Sequence, residues 1–122
     1  MMKRVLVVDD NEVIRMIVRS AFEMHTPYVI QEAVDGVDAL EKAETFNPDL
    51  VVMDFAMPRM GGLDASRTLK QTHPPTQVVL FTLHKDSVSE SDVNRAGVSA
   101  VVAKSDGLET LLDEVQHLLP VR

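Results

Sequence analysis

The 122-residue chain contains no cysteine. Disulfides and thiolate metal sites are therefore excluded. The absence agrees with a reducing cytosol, and a cytoplasmic location is the expectation, although many secreted proteins also lack disulfides. Long apolar runs are missing too, so no membrane span is expected. The amino terminus, MMKRVLVVDD, sets basic residues before an apolar run as a secretory signal does. That run is only about four residues long, short of a signal core. Basic charge is scarce: 12 Lys and Arg stand against 19 Asp and Glu, a net charge of −7. This argues against direct nucleic-acid binding, which needs a basic face. It suits a cation or a partner with a basic surface. Repeats and low-complexity tracts are absent. No G-x-G-x-x-G follows the first apolar segment, which speaks against a dinucleotide-binding domain.

What is present fits one globular domain over residues 1–122, with 45% hydrophobic residues to fill a core. Short apolar segments alternate with amphipathic ones. RVLVVD (4–9) is apolar through its middle, as a strand buried on both faces is. Asn11 is a candidate N-cap, with Ile14, Ile17, Val18, Ala21 and Phe22 following at helical spacing. Further strands are predicted over 28–33, 49–54, 77–82 and 100–104. Helices are predicted after Gly36 and over 62–72, 87–96 and 106–119. Pro120 ends the last of them, and only Val121 and Arg122 trail. Five strand–helix units imply a parallel sheet covered by helices on both faces. Such a doubly wound α/β domain puts its chemistry beyond the carboxyl ends of its strands.

The strand ends carry Asp9 and Asp10, then Asp54, Thr82 and Lys104. On one sheet edge these bring together three carboxylates, a hydroxyl and an ammonium. Ionised acids crowded together are costly unless a cation sits among them. Carboxylate oxygens plus water suit Mg²⁺. An Asp carboxylate can also accept a phosphoryl group as an acyl phosphate, a transfer that asks for positioning and charge neutralisation. Asp54 is the expected acceptor, because it stands alone at its strand end before the Gly-rich turn AMPRMGG (56–62). The remaining acids at turns, Asp35, Asp38 and Asp64, read as helix caps or surface groups. Met53, Met57 and Met60 read as packing residues. His25, His73 and His117 show no ligand spacing, and His84 reads as a surface residue near the site mouth.

VVDD (7–10), VVMDFAMPRMGGLD (51–64), LFT (80–82) and Lys104, taken in order, resemble a response-regulator receiver domain of the CheY-like superfamily. The likeness covers essentially the whole chain. The stretch from Asp54 to Asp64 resembles the family's D-x-x-M-P-x-M-x-G-x-D pattern. The resemblance implies a flavodoxin-like (βα)5 fold with strand order 2-1-3-4-5. It implies that Asp54 takes phosphate from a sensor histidine kinase or phosphotransfer protein. It further implies that Asp10, Asp54 and the carbonyl of Ala56 hold Mg²⁺ directly, with Asp9 acting through water. Thr82 would turn toward the phosphoryl group and Lys104 would pair with it. The output face would be the fourth helix, the fifth strand and the last helix, whose leucine edge also offers a homodimer contact.

Three positions depart from the family. Ser105 follows Lys104 where many members have proline, and KSDG (104–107) resembles receivers of the NarL type, which precede a helix-turn-helix DNA-binding output domain. The chain is then either such a receiver or a stand-alone protein acting on a separate effector. Val101 stands where the family has a rotating aromatic residue. Leu83 stands after Thr82 where a small residue is usual; its bulk narrows the path of attacking water and predicts a long-lived phosphorylated form. Two other functions compete. An aspartyl-phosphate phosphatase carries a second acid two residues after its nucleophile, and here that residue is Ala56. A degenerate receiver acting without phosphorylation would lack one of the five residues, and all five are present.

Overall fold

The computed structural model describes residues 2–121; Met1 and the trailing Arg122 lie outside the described residues. Five parallel strands, β1 (Arg4–Val8), β2 (Val29–Ala33), β3 (Leu50–Met53), β4 (Gln77–Thr82) and β5 (Ala100–Ala103), lie in the order β2-β1-β3-β4-β5. Helices α1 (Glu12–His25), α2 (Gly36–Phe46), α3 (Gly62–Thr72), α4 (Glu90–Ala96) and α5 (Gly107–Leu118) link them or close the chain. The expected strand order is therefore found.

The inner strands β1, β3 and β4 are buried on both faces, which explains their continuous apolar sequence, whereas edge strand β2 exposes Val29 and Gln31. Val5 and Val7 of β1 and Val79 and Phe81 of β4 turn to one face, where they pack with Val18 and Phe22 of α1 and Leu111 and Val115 of α5. Leu6, Val8, Val78 and Leu80 turn to the other, against Ala39 and Ala43 of α2 and Ala65 and Leu69 of α3. The period-two alternation of strand side chains thus builds two cores from one sheet. Removing a fully buried leucine such as Leu80 costs about 2–5 kcal/mol in sites of this kind.

Helix starts follow the predicted chemistry. Asn11 accepts the Ile14 amide at 3.0 Å, and Asp35 accepts that of Asp38 at 2.8 Å. Three expectations need correction. Ile17 shares the helical spacing of the apolar residues of α1, but it is 41% exposed and the inward stripe runs through Ile14, Val18 and Phe22. The helix expected from Ser87 starts at Glu90: a 3-10 turn covers Lys85–Ser87, Val88 is extended, and Ser89 is the cap. Strands one, three and five each end one residue early, so Asp9, Asp54 and Lys104 are the first residues past them. The ladder continues through the backbone all the same, with Asp9 N–H to Ala33 O at 3.2 Å and Asp54 N–H to Val8 O at 2.9 Å.

Candidate functional site

Adjacent parallel strands carry their ends to one edge of the sheet. Val8 lies opposite Met53, so Asp9 and Asp54 leave neighbouring strands side by side. Oxygens of Asp9, Asp10 and Asp54 lie within 4.8 Å of one another. Lys104, the first residue past β5, reaches across the edge: its Nζ is 2.7 Å from Asp9 Oδ2 and 3.6 Å from Asp54 Oδ1. The three side chains are 5%, 12% and 10% exposed for Asp9, Asp54 and Lys104, so this ion pair is screened little by water.

The three acids are not equivalent. Both oxygens of Asp9 are engaged, Oδ1 by the Asn11 amide at 2.9 Å and Oδ2 by Lys104. Asp10 is exposed. Asp54 Oδ1 accepts the Phe55 amide at 2.8 Å, and among the described residues Oδ2 receives no hydrogen bond. Burial pushes the Asp54 carboxyl above its ordinary pKa, and the charge of Asp9 pushes the same way; Lys104 and the Phe55 amide oppose them. A divalent ion would relieve this residual repulsion, and an all-oxygen donor set with an open side fits Mg²⁺.

Glycine brings α3 against Asp54. A Cβ on Gly62 would stand 2.3 Å from the Asp54 carbonyl oxygen, so only glycine admits the approach. Thr82 closes β4, is 1% exposed, and its Oγ1 accepts the His84 amide at 3.1 Å. Ala56 lies exposed in the loop after Asp54. Leu83 is 69% exposed, and Val101 is half-buried against the α2–α3 core. No peptide bond is cis among the described residues, Ser105 included. Met53 is fully buried and Met57 and Met60 pack against the same core, as expected of packing residues. Asp35 does cap α2, but it also binds Arg59, with Nε to Oδ2 at 2.7 Å and Nη2 to Oδ1 at 3.1 Å. Nothing in the spacing of the two residues announces that pair.

Fold and site together define a parallel α/β domain with an acidic, lysine-paired carboxyl edge. Comparison with known proteins places it further. Residues 5–116 match the family model of the response regulator receiver domain, and the chain belongs to that family. It is 34% identical over 116 residues to the response regulator GacA of Pseudomonas viridiflava, covering 94% of this chain and 54% of that protein. The chain thus spans about half the length of the curated relatives it matches. Among solved structures, a two-component response regulator of the LuxR family from Aurantimonas sp. superposes with a TM-score of 0.90 at 30% identity, over 98% of this chain and 86% of that one. The response regulator TrrA of Thermotoga maritima, solved in complex with Mg²⁺-BeF, superposes with a TM-score of 0.88 at 30% identity, over 97% of this chain and 100% of that one. No helix among the described residues is long and apolar enough to cross a membrane.

Proposed function

We propose that Asp54 is the phosphoryl acceptor of this receiver domain, fed by a sensor histidine kinase or a phosphotransfer protein in the cytoplasm. The observation that carries the reading is the free Oδ2 of Asp54 beside Asp9, Asp10 and Lys104. In the transfer, Oδ2 attacks phosphorus, the new P–O bond forms as the donor's P–N bond breaks, and the leaving imidazole takes up a proton. Asp10, Asp54 and the Ala56 carbonyl would hold Mg²⁺, and Asp9, with both oxygens engaged, would act through water. The ion supplies positive charge to the transferred oxygens. Lys104, freed from Asp9, pairs with the phosphoryl group, and Thr82 donates its hydroxyl. The protein is then a phosphoacceptor that catalyses its own loading and loses phosphate slowly. The phosphatase alternative is weakened by Ala56, which offers no general acid.

The relatives' additional length supports an output domain or separate effector downstream, and the net charge of −7 argues that any DNA contact belongs to that part. The α4–β5–α5 face would carry the signal, with homodimerisation on phosphorylation as one outlet. Beryllofluoride tests the reading. With Mg²⁺ it is expected to shift the amide resonances around Asp54, Thr82 and Lys104 in a saturable way. An unchanged spectrum would assign the domain to phosphorylation-independent binding.

A further inference from the structure

Arg59 sits in a backbone conformation that arginine rarely adopts, with φ of 66°. The Met60 amide donates to Pro58 O at 2.8 Å, so the chain closes a three-residue turn centred on Arg59. With a positive φ at its centre this is the strained form of the γ-turn. Glycine would be at ease here; arginine is not. Strain of this kind persists where the surroundings over-determine it, and it clusters at functional sites.

The side chain explains the choice. Arg59 grips Asp35 through two nitrogens, at 2.7 and 3.1 Å. The Asp35 carboxylate is only 6% exposed, although the arginine itself is 56% exposed. Directly beside this fork, the Gly36 amide donates to Met60 O at 3.1 Å. The approach is so close that a Cβ on Gly36 would stand 2.6 Å from that oxygen. The loop 55–61, which runs from Asp54 to α3 and carries Ala56, is thus bolted to the start of α2 by one bidentate ion pair and one backbone hydrogen bond.

We propose that Arg59 is a positioning residue for the metal edge: by clamping Asp35 it holds the 55–61 loop, and with it the Ala56 carbonyl, in register with Asp10 and Asp54. The inference rests on the reading of Ala56 as a metal ligand. Arg59 touches no reacting atom; it acts through the loop.

Arg59→Gly separates this role from a merely structural one, because glycine relieves the backbone strain while deleting the clamp. Strain relief and loss of the Asp35 ion pair oppose each other, so its melting temperature is expected to stay near that of the wild type. Magnesium affinity, measured by calorimetry on the unphosphorylated protein, is expected to fall roughly tenfold, the scale found when groups supporting metal ligands are lost. The Gly36 amide is expected to exchange with solvent faster even without metal. Asp35→Asn keeps a capping side chain on α2 and is expected to reproduce the affinity loss. Wild-type affinity in both variants overturns the clamp and leaves the acceptor reading standing. A loss confined to Arg59→Gly and accompanied by a lowered melting temperature also overturns it. Failure of the wild type to bind magnesium overturns the metal reading and the clamp together.

Discussion

Two loops frame Asp54 at the carboxyl edge, and they are held in opposite ways. Residues 55–61 are tied across the molecule, by Arg59 to Asp35 and by Met60 O to the Gly36 amide. Residues 83–89 pack on the α2–α3 core through Val88, but their hydrogen bonds among the described residues are local: His84 N–H to Thr82 Oγ1, Ser87 N–H to His84 O, and Val88 N–H to Lys85 O. Residues 83–87 are all exposed. Local bonds among exposed residues open at little free-energy cost, whereas a cross-element tie must be broken as a unit. One side of the site therefore supplies fixed geometry, which metal and phosphoryl chemistry need. The other can take up a second arrangement. Phosphate can shift such an equilibrium only by binding its two states unequally, and on the proposed reading Thr82, at the root of the loose loop, would be the residue to sense it.

The stiff half is broken most severely at Lys104. Lys104→Ala strands Asp9 and Asp54 without their cation, and about 3 kcal/mol of stability is expected to be lost at neutral pH. Denaturant unfolding checks this; a loss under about 1 kcal/mol would be that of an exposed pair. Next comes Asp54→Asn, with the opposite sign. An acid whose folded-state pKa is raised favours the fold in its protonated form. That contribution is complete below the ordinary value of 3.8 and is lost as pH rises through the raised value. Ionised Asp54 therefore weakens the fold at neutral pH. The asparagine variant is expected to melt about 4 °C higher, equivalent to about 1 kcal/mol, with the gain vanishing on acidification. Calorimetry at pH 7 and pH 3 reads both.

Asp35 supplies the contrasting titration. Arg59 holds its carboxyl below the usual range, so its contribution is present above 3.8 and is lost only as pH falls through the lowered value. Clamp opening on acid titration, followed by exchange of the Gly36 amide, is expected below that point and not above it. In the loose half, Thr82→Ala removes the side-chain acceptor of the His84 amide. Its cost is expected near 1 kcal/mol, with faster exchange confined to residues 84–88. Exchange spreading into 55–61 would show that the two loops move together. Leu83→Ala is the smallest: for an exposed side chain the stability change is expected within about 0.5 kcal/mol. A shortened lifetime of the phosphorylated form would support shielding by Leu83; an unchanged one rules shielding out.

The cores and the acidic edge were legible because each leaves a local pattern. A strand buried on both faces reads as VLVV or LVVM, and its parallel neighbours must deliver Asp9, Asp54, Thr82 and Lys104 to one side. The misses come from tertiary context. Ile17 has the right spacing for the core, but α1 packs through Ile14, Val18 and Phe22, and a helix stripe has room for only part of an apolar face. Ser87 and Ser89 are both capping residues, and the 3-10 turn over Lys85–Ser87 decides between them. Asp35 announced its cap, which is three residues away, and hid its partner Arg59, which is 24 residues away. Long-range pairs of this kind carry no spacing signal.

The most direct test incubates the protein with a small-molecule phosphodonor and Mg²⁺ and reads intact mass. The wild type is expected to gain a single phosphoryl group, only with the metal present, while Asp54→Asn gains none. A phosphorylated Asp54→Asn protein, or equal loading of the wild type in a chelator, would contradict the assignment of Asp54 and its acidic neighbours as the chemical centre of the domain.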